Sequence, residues 1–138
     1  MNIYTKFTKF AAAAVVGLTL SVASMTAQAL PIGLGLVIDG SGSISGANFT
    51  TQKNGYIAAL NNVLPADGSV AVGVYQFSSA AQTEFSFQVI NNATDLANLV
   101  AAINGMTQLG GATAIGDGIN LAASQMAAFG YANLEKVV

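Results

Sequence analysis

Leu34-Gly35-Leu36-Val37-Ile38-Asp39-Gly40-Ser41-Gly42-Ser43 is the stretch from which the rest of the chain can be read. Its first five residues are apolar without alternation, the pattern of a strand buried on both faces. The run ends in a carboxylate followed by hydroxyls at every second position, so Asp39, Ser41 and Ser43 all offer oxygen to one small volume. Gly40 and Gly42 let the backbone turn there without a Cβ clash. Oxygen donors of this kind suit a hard cation such as Mg²⁺, which takes near-octahedral coordination at about 2.0–2.1 Å.

The 138-residue length allows one domain, and the composition is apolar-rich (53%) and charge-poor (7%). The absence of Cys rules out disulfides and thiolate metal sites, and the absence of His rules out Ser-His-Asp catalysis and His-ligated zinc. No basic patch supports nucleic-acid binding.

The N-terminus has the form of a secretory signal peptide. Lys6 and Lys9 form a positive region, Phe10 to Leu20 is an apolar run, and Ala27-Gln28-Ala29 is a cleavage signal. The apolar run is shorter than the roughly 20 residues a membrane span needs. Residues 1–29 are therefore expected to be removed and residues 30–138 to form the domain, secreted or held at the cell surface or in a periplasm.

The remaining elements follow in order. Ile32 to Ile38 is expected as a central strand. A helix is expected from Asn48, its cap, to Leu64 before Pro65, with Phe49, Tyr56, Leu60 and Val63 on one stripe. Ser69 to Phe77 reads as a second buried strand. Glu84 to Val89 alternates, with Phe85, Phe87 and Val89 expected on the inner face, and the short connection permits only antiparallel pairing. Thr94 is the expected cap of a helix ending near Gly105. Thr113 is expected to open another helix, with Ile115, Ile119, Ala122, Met126 and Phe129 as its stripe and Gly130 just past its end. Glu135-Lys136-Val137-Val138 reads as the start of a further strand, which points to the N-terminal portion of a longer protein. The order predicts an α/β fold: a Rossmann-like, mostly parallel sheet with one antiparallel edge and helices on both faces. Ligands of such sheets bind beyond the carboxyl ends of the strands, where Asp39 lies.

Four pieces in series resemble the von Willebrand factor type A (VWA) family with its metal-ion-dependent adhesion site. They are Asp39-Gly40-Ser41-Gly42-Ser43, Val72-Gly73-Val74-Tyr75-Gln76-Phe77-Ser78, Gly110-Gly111-Ala112-Thr113 and Leu134-Glu135-Lys136-Val137-Val138. The resemblance implies that Asp39, Ser41, Ser43 and Thr113 surround a divalent cation, Mg²⁺ or else Mn²⁺ or Ca²⁺. It also implies a further acidic ligand beyond the strand that begins at Glu135. An underneutralised cation with an open position would then take an acidic side chain of a protein partner, giving an adhesion module and not an enzyme.

Plainer roles compete for each residue. Asp39 could only anchor its own loop, Ser41, Ser43 and Ser45 could be turn or cap residues, and Thr113 could be a helix cap. Asp117 reads as a first-turn acid answering the helix dipole. Asn48-Phe49-Thr50 and Asn92-Ala93-Thr94 match the glycosylation sequon, a motif common by chance. Two other functions remain: a VWA-like domain with a silent metal site, and a phosphate- or nucleotide-binding domain. Against the latter, Gly40, Gly42 and Gly46 are spaced wrongly for a dinucleotide turn, and no P-loop lysine follows.

Overall fold

The computed structural model describes residues 31–130 and the backbone of residues 136 and 137. The signal-peptide reading of residues 1–29 lies outside the described residues.

Strand β1 (Ile32–Asp39) leads into helix α1 (Gly46–Val63), strand β2 (Val70–Phe77) and strand β3 (Ala81–Val89). Helices α2 (Ala93–Gly105) and α3 (Ile115–Ala128) follow, and then strand β4 (Lys136–Val137). The sheet order is β3-β2-β1-β4. β1 runs parallel to both β2 and β4, whereas β3 pairs antiparallel with β2. This is the expected α/β sheet, mostly parallel with one antiparallel edge.

Apolar β1 and β2 take the middle of the sheet because helices cover both faces. On one face Val70, Val72 and Val74 of β2 pack with Phe49 and Leu60 of α1 and with Leu99 and Ile103 of α2. On the other face Ala71, Phe87 and Met126 form a smaller cluster under α3. At Gly118 of α3 a Cβ would stand only 2.8 Å from Val37 Cγ1 and 3.1 Å from Phe77 Cβ. The missing side chain therefore lets the first turns of α3 rest directly on the ends of β1 and β2.

Several local expectations are corrected. Ser45, not Asn48, caps α1, its hydroxyl accepting from the Asn48 N–H at 3.2 Å. Asn92, not Thr94, caps α2, accepting from the N–H groups of Thr94 and Asp95. The side chain of Asn92 is thus already engaged at the sequon position. α3 begins at Ile115 after Ala114, and no side chain caps it. Thr113 is therefore not the helix cap.

β3 begins at Ala81, earlier than expected, and its alternation is broken. Its pairing with β2 shifts register between Val72 and Val74 and again between Val74 and Tyr75. Such bulges reverse which face the following residues present. Phe85 accordingly joins the cluster beneath α1 and α2, while Phe87 and Val89 join the one beneath α3. The buried stripe of α3 is Gly118, Ala122 and Met126, with Ile115, Ile119 and Phe129 largely exposed. Phe129 meets Phe87 edge-on, ring centroids 5.3 Å apart. On α1, Val63 is also exposed, outside the stripe predicted for it.

Candidate metal centre

The turn after β1 is held by its own polar groups. The Asp39 carboxylate accepts from the Ser41 N–H at 2.8 Å through Oδ1. Its other oxygen has no partner among the described residues. The Ser41 and Ser43 hydroxyls lie 3.1 Å apart, with Ser41 fully buried and Ser43 exposed. Two adjacent ligands of an octahedral cation with bonds of about 2.1 Å stand about 3 Å apart, so this pair fits such an ion. Among the described residues no three His, Cys, Asp or Glu side chains come together. The donor set read from the sequence is one carboxylate, Asp39, with neutral hydroxyls, which would leave a bound cation with uncompensated positive charge.

A second loop is laced to this turn. The Gly42 N–H donates to the Gly111 carbonyl at 2.9 Å, and the Gly110 N–H donates to the Gly40 carbonyl at 2.8 Å. Gly110 and Gly111 both take positive φ, 70° and 86°, which lets this backbone fold against the turn. Beyond them the Ala112 N–H donates to Ser79 Oγ and the Ala114 N–H to the Ser78 carbonyl, at 2.9 and 2.7 Å. Thr113 sits between these two anchors, exposed, on the same end of the sheet as Asp39. Ser41 and Ser43 are brought together by direct contact, and Thr113 is brought to their side through its backbone neighbours.

Two glutamines outside the predicted set hold the loops. Gln76 Oε1 accepts from the Leu109 N–H at 2.9 Å, and its Nε2 donates to the Thr107 carbonyl at 3.0 Å and to Glu84 Oε1 at 2.7 Å. Gln108 Nε2 donates to the carbonyls of Ser41 and Ile44 at 2.9 and 2.8 Å. Gln76 was visible in the sequence as an amide inside an otherwise apolar strand; nothing local distinguishes Gln108.

The same bonding argues against a phosphate cradle, which needs free backbone N–H groups. Those of Gly40, Ser41 and Gly42 are taken by the Phe77 carbonyl, Asp39 Oδ1 and the Gly111 carbonyl.

The family model of the von Willebrand factor type A domain matches residues 34–137. A comparison with curated proteins returns no match. Among solved structures the chain is similar to proximal thread matrix protein 1 of the mussel byssus, solved with a zinc-occupied MIDAS motif. That match has 24% identity and a TM-score of 0.57, and covers 67% of this chain and 24% of that one. It is also similar to the PilB minor pilin of Streptococcus sanguinis, at 18% identity and a TM-score of 0.60, covering 71% and 26%. A third is the type V pili tip protein Mfa5 of Porphyromonas gingivalis, at 22% identity and a TM-score of 0.58, covering 72% and 18%. The chain spans about a quarter or less of each of these structures. At these identities they speak for the fold alone, and they agree with the family match over most of the described residues: this chain belongs to the von Willebrand factor type A domain family.

Proposed function

We propose that this chain is a secreted, metal-dependent protein-binding module and not an enzyme. Asp39, Ser41, Ser43 and Thr113 would hold the cation, Mg²⁺ or else Mn²⁺ or Ca²⁺. When bound, the ion supplies a positive charge with an open position for an acidic side chain of a partner protein. The observation that carries this reading is the 3.1 Å separation of the Ser41 and Ser43 hydroxyls beside an Asp39 oxygen with no partner among the described residues. Further support comes from the zinc-occupied motif of the mussel thread protein and from the pilus origin of two similar structures. Residues 1–29 are proposed as the exported leader and residues 30–138 as the VWA portion. No described helix is long and apolar enough to cross a membrane.

A silent site is the second reading, favoured by the absence of any cluster of three His, Cys, Asp or Glu side chains among the described residues. Thermal melting with added divalent metal separates the two. A ligand at 100 times its dissociation constant stabilises the fold by about 2.7 kcal/mol. Mg²⁺ or Mn²⁺ is expected to raise the melting temperature of the full chain relative to chelator, and Asp39→Ala to abolish the gain. A wild-type chain unmoved by Mg²⁺, Mn²⁺ and Ca²⁺ leaves only the silent domain.

A further inference from the structure

A single buried amide stands between the two loops of the candidate metal centre. Gln76 is fully buried in β2, among strand neighbours that are all buried too. Burying an amide there is costly unless its groups are paired. Both Nε2 hydrogens and Oε1 are paired, with Glu84, Thr107 and Leu109. A Met or Leu of similar size would leave the Leu109 N–H and the Thr107 carbonyl without these partners, so the amide ties the strand to the second loop.

The amide touches both loops. On one side it lies against Gly40, where any Cβ would collide with it. On the other it grips the backbone at 107 and 109, the residues flanking Gln108. Gln108, held from both sides, sends its own amide across to the carbonyls of Ser41 and Ile44. Gln76 thus fixes the second loop to the sheet, and Gln108 fixes it to the turn after β1.

We propose that Gln76 and Gln108 are positioning residues for the cation, setting the spacing between the Asp39–Ser43 turn and the loop that carries Thr113. The proposal rests on the metal-binding reading above. It has a consequence that a merely stabilising role lacks. Mg²⁺ requires near-octahedral ligands at about 2.0–2.1 Å, whereas Ca²⁺ accepts six to eight oxygens at about 2.3–2.6 Å in flexible geometry. Loosening the spacing should therefore penalise Mg²⁺ more than Ca²⁺.

The test is calorimetric titration of the full chain with Mg²⁺ and with Ca²⁺, for wild type and Gln108→Met. That substitution keeps the side chain's length and removes both donors. Losing a partner that orients ligands typically costs 10–100-fold in metal affinity. Mg²⁺ affinity is expected to fall by about tenfold or more, with a clearly smaller loss for Ca²⁺. Equal losses for the two ions, or no loss for either, overturn the proposal while leaving metal binding itself intact. A wild-type chain that takes up neither ion overturns both readings. If Gln108→Met does not fold, Gln108→Asn carries the same test, since it keeps a polar amide but withdraws it by one methylene from the carbonyls of Ser41 and Ile44.

Discussion

The side-chain amide of Gln76 lies where a Cβ on residue 40 would stand, so Gly40 and Gln76 share one space. Gly40→Ala must push aside an amide held by three hydrogen bonds. Overpacking a filled site costs about 1–3 kcal/mol. The expected outcome is a loss of that size in urea unfolding without metal, together with weaker metal binding. Gly46→Ala is the control: it lies beyond the same turn, at the start of α1, and a Cβ there meets nothing within 4 Å. It should show neither effect.

Thr113 offers a sharper distinction, because the uncapped start of α3 removes its plainest alternative role. Losing a true cap costs about 1 kcal/mol, whereas changing an exposed residue that makes no such bond costs within about 0.5 kcal/mol. Thr113→Val is expected to leave the metal-free melting temperature nearly unchanged and to lower divalent-metal affinity. Thr113→Ser, which keeps the hydroxyl, is expected to bind like wild type. Affinity unchanged in Thr113→Val would remove this residue from the ligand set.

The central strands and the antiparallel edge were legible because they depend on long-range features of the sequence. Largely apolar runs mark β1 and β2, and the short connection from β2 allowed β3 only one direction. What escaped was set by tertiary contact. The alternation at Phe85 and Phe87 is regular in sequence, but the register shifts of β3 send the two rings to opposite faces. Ala122 and Met126 of α3 are buried as their spacing predicted, but Gly118 and not Ile115 or Ile119 completes the contact face, because the helix sits close to the sheet and a glycine leaves no mark in a hydropathy pattern. The hydroxyls at 41 and 43 could be read from their spacing, whereas the bonds of Gln108 exist only once the two loops meet.

The closeness of α3 to the sheet gives a paired prediction. Ala is favoured over Gly by about 1 kcal/mol inside a helix when nothing else changes. Gly55 lies inside α1, where a Cβ would meet nothing within 4 Å. Gly55→Ala is therefore expected to stabilise the chain by up to about 1 kcal/mol. At Gly118 the added methyl meets Val37 and Phe77, the latter on the strand that ends beside Ser78. Gly118→Ala is expected to destabilise by about 1–3 kcal/mol despite its better helix propensity. Two gains of equal size in chemical denaturation would show that α3 shifts freely on the sheet.

Tyr75 is fully buried in β2, and its hydroxyl finds no hydrogen-bond partner among the described residues. A buried polar group left unpaired is a net cost of about 1–3 kcal/mol, so Tyr75→Phe is expected to hold or raise stability at neutral pH. Burial also pushes the phenol pKa above its ordinary value. In the folded chain the proton is then retained to higher pH than in the unfolded chain, whose tyrosines titrate near pH 10. The stability contributed by the neutral phenol is accordingly complete below about pH 10 and is lost as pH rises from there through the raised value. Wild type should therefore lose stability more steeply than Tyr75→Phe as pH rises above about 10. Parallel pH profiles for the two proteins would mean that the phenol reaches solvent or a partner, and the neutral-pH gain should then vanish as well.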